Sequence, residues 1–484
     1  MSKLIHSFKW MISVNILRKI VSFLLFLYIV NIFSRAEIGA FREFSSILMT
    51  VAFLSVFSFN YLNIVFRTKL YFTQGLQFLI FSSAAVAIVL FLLKKQFSIQ
   101  YHSEDIYTYF QYGFWLVIPI SINIFIKSLH QLDMNFKLIS IAEAVNIVLC
   151  SVLSFIFFLF AQKFYMYIVA FYIGIVVELC ILAFPMRKKL MVGLYNSLKL
   201  KYVKSSLLLI KEKFAFLSIN STSTFINALF SEAPILLLGL FYAPGYMGNY
   251  FIASQLVLAP LSLLVTTLSQ VLFPAFSLTL REDLPMKIEK YFKHIIYLLW
   301  IPIVFGGILL KNWGYLVIGD NDIPLINAII TIVIAKHLFV VIMNPLSTMM
   351  TVLKKPQYEL YWSLCSIAVI CGSIAIFKEI GFLKLVCINA VITIFSLIIF
   401  LIIIIKMLKM SVNSFLFMII KGVFYTLPLL IVLIFINFER NIFAVVLPIL
   451  TLLVSLSLLY FFERKFIQEV KNEVKNDFHV NHAF

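Results

Sequence analysis

Apolar residues run along this chain in long blocks rather than in alternation. Stretches of about twenty apolar residues recur, separated by short breaks rich in Lys, Arg, Asn, Pro and Gly. A backbone in hydrocarbon must satisfy its own N–H and C=O groups, so each block predicts a membrane-crossing helix. A closed barrel would need short alternating strands, which the blocks are not. The pattern predicts fourteen spans. Six lie near 12–33, 43–66, 76–93, 107–126, 138–161 and 164–185. Six more lie near 214–241, 246–273, 292–310, 325–353, 360–377 and 385–405, and a last pair near 415–436 and 442–462.

Composition agrees with that reading. Of the 484 residues 63% are apolar and 12% charged, and the mean hydropathy is +1.04. That leaves too little polar surface for a water-soluble chain of this size. With the N-terminus in the cytoplasm, alternating the loops puts about three times as many Lys and Arg inside as outside, as cytoplasmic loops require. The net charge of +18 thus reflects topology, and nucleic acid is excluded as a partner. The basic start (Lys3, Lys9, Arg18, Lys19) leads into a long apolar stretch with no small-residue cleavage site, which reads as a retained first span. Cys150, Cys180, Cys365, Cys371 and Cys387 all fall inside spans, without metal-ligand spacing or a disulfide framework, and packing is their expected role.

The predicted fold is all-α: about fourteen transmembrane helices in two pseudo-symmetric six-helix lobes plus a C-terminal pair. The lobes are 1–185 and 214–410, the extra pair 411–462 and the cytoplasmic tail 463–484. Between the lobes, 186–213 holds eight Lys and Arg against Glu212 alone, interleaved with leucines. This suits a helix lying on an anionic leaflet, and first capture of an anionic substrate is the functional alternative. The duplication shows in two turns. Glu37-Ile38-Gly39-Ala40-Phe41 follows span one, and Tyr246-Met247-Gly248-Asn249-Tyr250 follows span seven, with the glycines 209 residues apart.

The same residues carry a resemblance. Gly248-Asn249-Tyr250, then Leu258-Ala259-Pro260-Leu261, then Leu272-Phe273-Pro274-Ala275-Phe276-Ser277, resemble the signature of the O-antigen and exopolysaccharide repeat-unit translocases. That family is related to lipid II flippases and multidrug exporters. The chain departs from it near Asn60, where a glycine is usual, and at Glu232, where Asp is frequent. The resemblance implies two lobes facing a central cavity and a cargo of sugar repeat unit on undecaprenyl pyrophosphate, flipped across a bacterial cytoplasmic membrane. The loop charges place both termini inside, and a glycan polymerase and a chain-length regulator are the expected protein partners besides membrane lipids. An ion-coupled drug exporter on the same fold is the near alternative, and a membrane glycan polymerase the further one. Against the polymerase, the outer loops are short and Asp320 with Asp322 is their one close acidic pair.

Flipping needs no covalent chemistry, so no catalytic residue, cofactor or metal is expected, and no ATP-binding motif is present to drive it. Coupling to H+ or Na+ is the expected source of direction. Ionisable groups at membrane depth are costly and therefore candidates by position. Lys336 lies about 16 Å into its span at 1.5 Å per residue, with His337 beside it. Glu232, deep in span seven, is its candidate acid partner, in either a coupling role or a structural ion pair. Arg18 with Asn15 on one face of span one, and Arg67 at the end of span two, resemble cavity cations of related lipid flippases. Arginine's planar donors suit a pyrophosphate, with snorkelling to the surface an equal alternative for Arg18 and the plainer reading of Arg67. Glu143 and Glu178 are candidate coupling carboxylates, with interfacial pairing the plainer reading. Pro119, Pro234, Pro260, Pro302, Pro345, Pro428 and Pro448 fall within spans as bending points.

Overall fold

The computed structural model describes residues 2–60, 72–133, 135–188, 192, 208–277, 282–319, 322–347, 349–353, 355, 357–435, 443–464 and 466–468. The described residues are helical nearly throughout. In chain order the first helices are α1 (Ser2–Ile32), α2 (Arg35–Val56), α3 (Phe72–Gln100) and α4 (Glu104–Gly113). A short 3₁₀ segment joins α4 to α5 (Val117–Leu132), and α6 (Phe136–Phe160) and α7 (Tyr165–Ala183) follow. Next come α8 (Phe214–Gly239), α9 (Pro244–Ser277) and α10 (Leu284–His294), which passes through a π-turn at Ile295–Leu299 into α11 (Trp300–Trp313). The remainder is α12 (Tyr315–Ile318), α13 (Ile323–Ser347), α14 (Met349–Val352), α15 (Gln357–Phe377), α16 (Phe382–Met407), α17 (Val412–Phe435) and α18 (Phe443–Phe462).

Where its residues are described, each of the fourteen predicted spans lies mainly on helix. Among the described residues ten helical stretches are long and apolar enough, by length and composition, to cross a membrane. Their surfaces agree. Phe160 is 86% exposed and Phe435 77%, with Phe81, Leu92, Leu159, Leu316 and Ile376 also outward. An apolar surface of that extent is stable only against lipid. The chain is a polytopic all-α membrane protein.

By packing the chain divides into two compact units, one comprising 1–255 with 357–392 and the other 256–356 with 393–484. These are not the two halves read from the sequence, because α15 packs against α8 and joins the first unit. In the first unit α2 and the α4–α5 stretch are the most enclosed, with 61% and 67% of their apolar windows buried, against 17% for α6. The start of α2 is fixed by a capping box, in which the Ser34 hydroxyl accepts from the Glu37 amide and the Glu37 carboxylate accepts from the Ser34 amide at 3.0 Å. Gly113 lets the ring of Phe44 lie against α4, and Ser55 and Ser121 share a 2.6 Å hydrogen bond between α2 and α5.

The second unit is built around α11. Trp300 is fully buried and its indole donates to the Leu338 carbonyl at 3.0 Å. Gly422 on α17 brings that helix against Ile296 and the Trp300 ring. Lys421 and Tyr425 on α17 both reach Glu463, at 2.6 and 2.9 Å. Of the cysteines, all free, Cys150 is buried as the packing role requires, whereas Cys180, Cys365 and Cys387 lie on the exterior. The basic stretch 186–213 lies for the most part outside the described residues.

Candidate functional site: a membrane-embedded charge cluster

Four helices of the first unit bring ionisable side chains to one place. Glu143 and Asn146 are three residues apart on α6 and share a face, and Gly174 and Glu178 do the same on α7 at a spacing of four. Gly174 is what allows the two faces to meet, since a Cβ there would overlap the Asn146 side chain. Asn146 then donates its Nδ2 to Glu178 Oε2. From α5, Lys127 Nζ lies 2.8 Å from Glu143 Oε1 and 2.6 Å from Glu178 Oε1. From α1, Arg18 Nη1 donates to Glu143 Oε2.

The cluster holds two cations and two carboxylates. That balance is what membrane depth demands, because an unpaired charge there is far costlier than a matched pair. Burial is graded across it. The side chain of Glu178 is 4% exposed, that of Arg18 32%. Arg18 is therefore the more open end of the cluster and Glu178 the more enclosed one. An anion with several oxygens arriving at Arg18 and Lys127 would compete with the two carboxylates for the same donors.

The sequence-predicted residues divide accordingly. Arg18, Glu143 and Glu178 come together here. Glu232 does not join them: its Oε2 accepts from Arg42 Nη2 at 2.8 Å and from the Ser46 hydroxyl at 2.7 Å, tying α8 to α2. The Arg42 guanidinium also stands 5.5 Å from the centre of the Phe251 ring. The acid expected to serve Lys336 thus already has a cation. Lys336 is half-buried on α13, and among the described residues it makes no ion pair or hydrogen bond. His337 is buried, with Nδ1 bonded at 2.7 Å to the Val333 carbonyl of its own helix, an intrahelical role. The Asn15 side chain and Arg67 lie outside the described residues.

Sequence reasoning missed Lys127, Asn146 and Arg42. Lys127 stands one residue beyond the predicted end of span four at 126, and Arg42 one before the predicted start of span two at 43. Both helices run further, to Leu132 and from Arg35, so residues assigned to loops lie within helices long and apolar enough to cross a membrane. The detectable signal was spacing, since Lys127 follows the apolar run without any helix-breaking residue. Among the described residues no group of His, Cys, Asp and Glu is arranged to hold a metal ion.

Comparison with known proteins follows the same line. The profile of a family described as "Polysaccharide biosynthesis protein" matches residues 67–318, more than half of the chain. No curated protein matches the sequence significantly. Among solved structures, the lipid II flippase MurJ in an inward closed conformation aligns over 96% of this chain and 100% of its own, with a TM-score of 0.67 at 10% identity. An inward-facing multidrug resistance MATE family transporter of the MOP superfamily aligns over 82% and 94%, with a TM-score of 0.59 at 13% identity. A MOP superfamily transporter from Pyrococcus furiosus aligns over 84% and 96%, with a TM-score of 0.55 at 14% identity. At such identities the likeness is one of fold. With the family profile matching more than half of the chain, this membrane protein belongs to the polysaccharide biosynthesis protein family.

Proposed function

We propose that the protein is a flippase that carries an undecaprenyl-pyrophosphate-linked oligosaccharide repeat unit from the cytoplasmic to the outer leaflet of the bacterial cytoplasmic membrane. The pathway served is O-antigen, capsule or exopolysaccharide synthesis. The work is alternating access without bond making or breaking: the polar head group crosses in a polar environment while its lipid tail stays in hydrocarbon. Membership of a polysaccharide biosynthesis family and a fold shared with a lipid II flippase support the reading.

The observation that carries it is the Arg18–Lys127–Glu143–Glu178 cluster. A diphosphate offers Arg18 and Lys127 the oxygens they now take from carboxylates, so binding exchanges one set of charge-assisted hydrogen bonds for another. The displaced carboxylates are left without their cations and take up protons or Na+, which links binding to an ion gradient. The fold likeness to a multidrug MATE transporter favours a second reading, export of a small molecule. A cluster with two cations argues for anionic cargo over the cationic drugs an acidic cavity would select.

The test is a deletion strain. Loss of the gene is expected to halt surface glycan and to accumulate lipid-linked repeat units on the inner leaflet. Complementation by the native gene restores export, and Arg18→Ala with Lys127→Ala does not, at equal protein level. Unchanged surface glycan in the deletion strain overturns the proposal and leaves the exporter reading.

A further inference from the structure

One further carboxyl group of unit one stands without a hydrogen-bond partner among the described residues. Glu43 on α2 is 0% exposed, and among the described residues neither of its carboxylate oxygens has a hydrogen-bond partner. The space it fills is shaped for it. A Cβ at Gly239, the last residue of α8, would overlap Glu43 Oε1 and come within 3.0 Å of Tyr101 Cδ1. Glycine at that position is what leaves room for a carboxyl group.

The charged and titratable groups on the surrounding elements are engaged elsewhere. On α2, Arg42 is bonded to Glu232 of α8, and Glu37 closes the capping box. On α4, Tyr109 donates to the Glu37 carbonyl at 3.4 Å, and Glu104 and Asp105 occupy the first turn. On α5, Lys127 serves Glu143 and Glu178, and His130 bonds the Leu182 carbonyl at 2.8 Å. On α3, Lys94 stands over the rings of Phe91 and Tyr107. Tyr101, which borders Gly239 as Glu43 does, is the titratable neighbour that feels it, its phenol pushed up by burial and by any charge on Glu43. An ionised Glu43 would sit in a buried pocket with neither cation nor donor among the described residues, whereas the neutral acid carries no such penalty.

We propose that Glu43 is a proton-binding site, loaded in this conformation, and that it discharges when α2 and α8 part enough to wet the pocket. On discharge the carboxyl O–H bond breaks, the proton passes to water and the carboxylate keeps the electron pair; loading is the reverse. Occupancy of the site stands independently of the cargo, and its use for transport rests on the flippase reading. Placed beside the Arg42–Glu232 pair that joins the same two helices, Glu43 gives the ion gradient a handle on that contact.

The test is infrared difference spectroscopy of the full chain in lipid nanodiscs at neutral pH, in H2O and D2O. Expected is a carbonyl stretch of a protonated carboxylic acid that is lost in Glu43→Gln and retained in Glu143→Gln. The Gly239→Ala protein, which keeps the carboxyl but crowds it, is expected to shift the band. A spectrum without the band, or with one that survives unaltered in Glu43→Gln, overturns the site. The two proposals fail separately: the band is read without any cargo, and surface glycan in the deletion strain is read without Glu43. Thermal melts of the nanodisc samples establish that each variant is folded.

Discussion

Gly39 and Gly248 meet each other. A Cβ on Gly39 would overlap the Pro244 carbonyl, and a Cβ on Gly248 would overlap the Arg35 carbonyl. Pro244 stands to Gly248 as Arg35 stands to Gly39, four residues before it near the start of a helix. The contact is therefore reciprocal, residue against equivalent residue, which is the mark of a local two-fold relationship. The two turns singled out as copies of one another are also each other's partners.

Substituting either glycine by alanine is expected to force the α2 and α9 starts apart, at a cost of about 1–3 kcal/mol for an overpacked contact. Because both methyl groups would strain one shared contact, the double variant is expected to lose less than the sum of the two single losses. Thermal unfolding of the purified single and double variants reads both quantities. Additive losses would show the two positions to be independent.

Lys127 is the hub of the charge cluster. Among the described residues Lys127→Met leaves Glu143 with Arg18 alone and Glu178 with Asn146 alone, and it is expected to destabilise the protein by up to about 3 kcal/mol. Adding Glu178→Gln removes the stranded charge and is expected to restore most of the loss. Chemical denaturation in detergent checks the pair, and a double variant no more stable than Lys127→Met would contradict it.

Glu232→Gln keeps a group able to accept from Arg42 and Ser46 but removes the charge. Glycan export is expected to fall while protein level holds. The exchange of Arg42→Glu with Glu232→Arg is expected to recover part of it, since the pair is rebuilt in the opposite sense. Recovery is read by complementation of the deletion strain; none would show that polarity, not pairing, matters at this position.

Lys336→Ala tests the lysine that the sequence ranked first. With no partner among the described residues to strand, the substitution is expected to leave thermal stability within about 0.5 kcal/mol. It is expected to abolish export if Lys336 contacts the cargo. Stable protein with full export would remove Lys336 from the mechanism.

The Lys421–Glu463 pair gives a contrast in the second unit. One partner is about a third exposed, and Tyr425 supports Glu463 as well. Lys421→Ala is expected to cost no more than about 1 kcal/mol in a thermal melt, the ordinary worth of a partly solvated pair. A loss as large as that of Lys127→Met would show this pair to be equally enclosed.

By itself the sequence determined the class and the order of helices. The cause is local: each apolar block must satisfy its backbone within itself in lipid, so one block makes one helix wherever the others lie. Its repeat was legible too, because the Gly39 and Gly248 turns sit at matching places in the pattern. Pairing of charges was not legible. Glu232 could have met any deep cation, and only the packing of α8 on α2 gives it Arg42 rather than Lys336. Lys127 looked like a loop residue because a hydropathy block ends where the first charge appears, although the helix continues while its charge has partners on α6 and α7. Whether an ionisable side chain ends a span or sits inside one depends on residues far away in the chain, and tertiary structure alone brings those together.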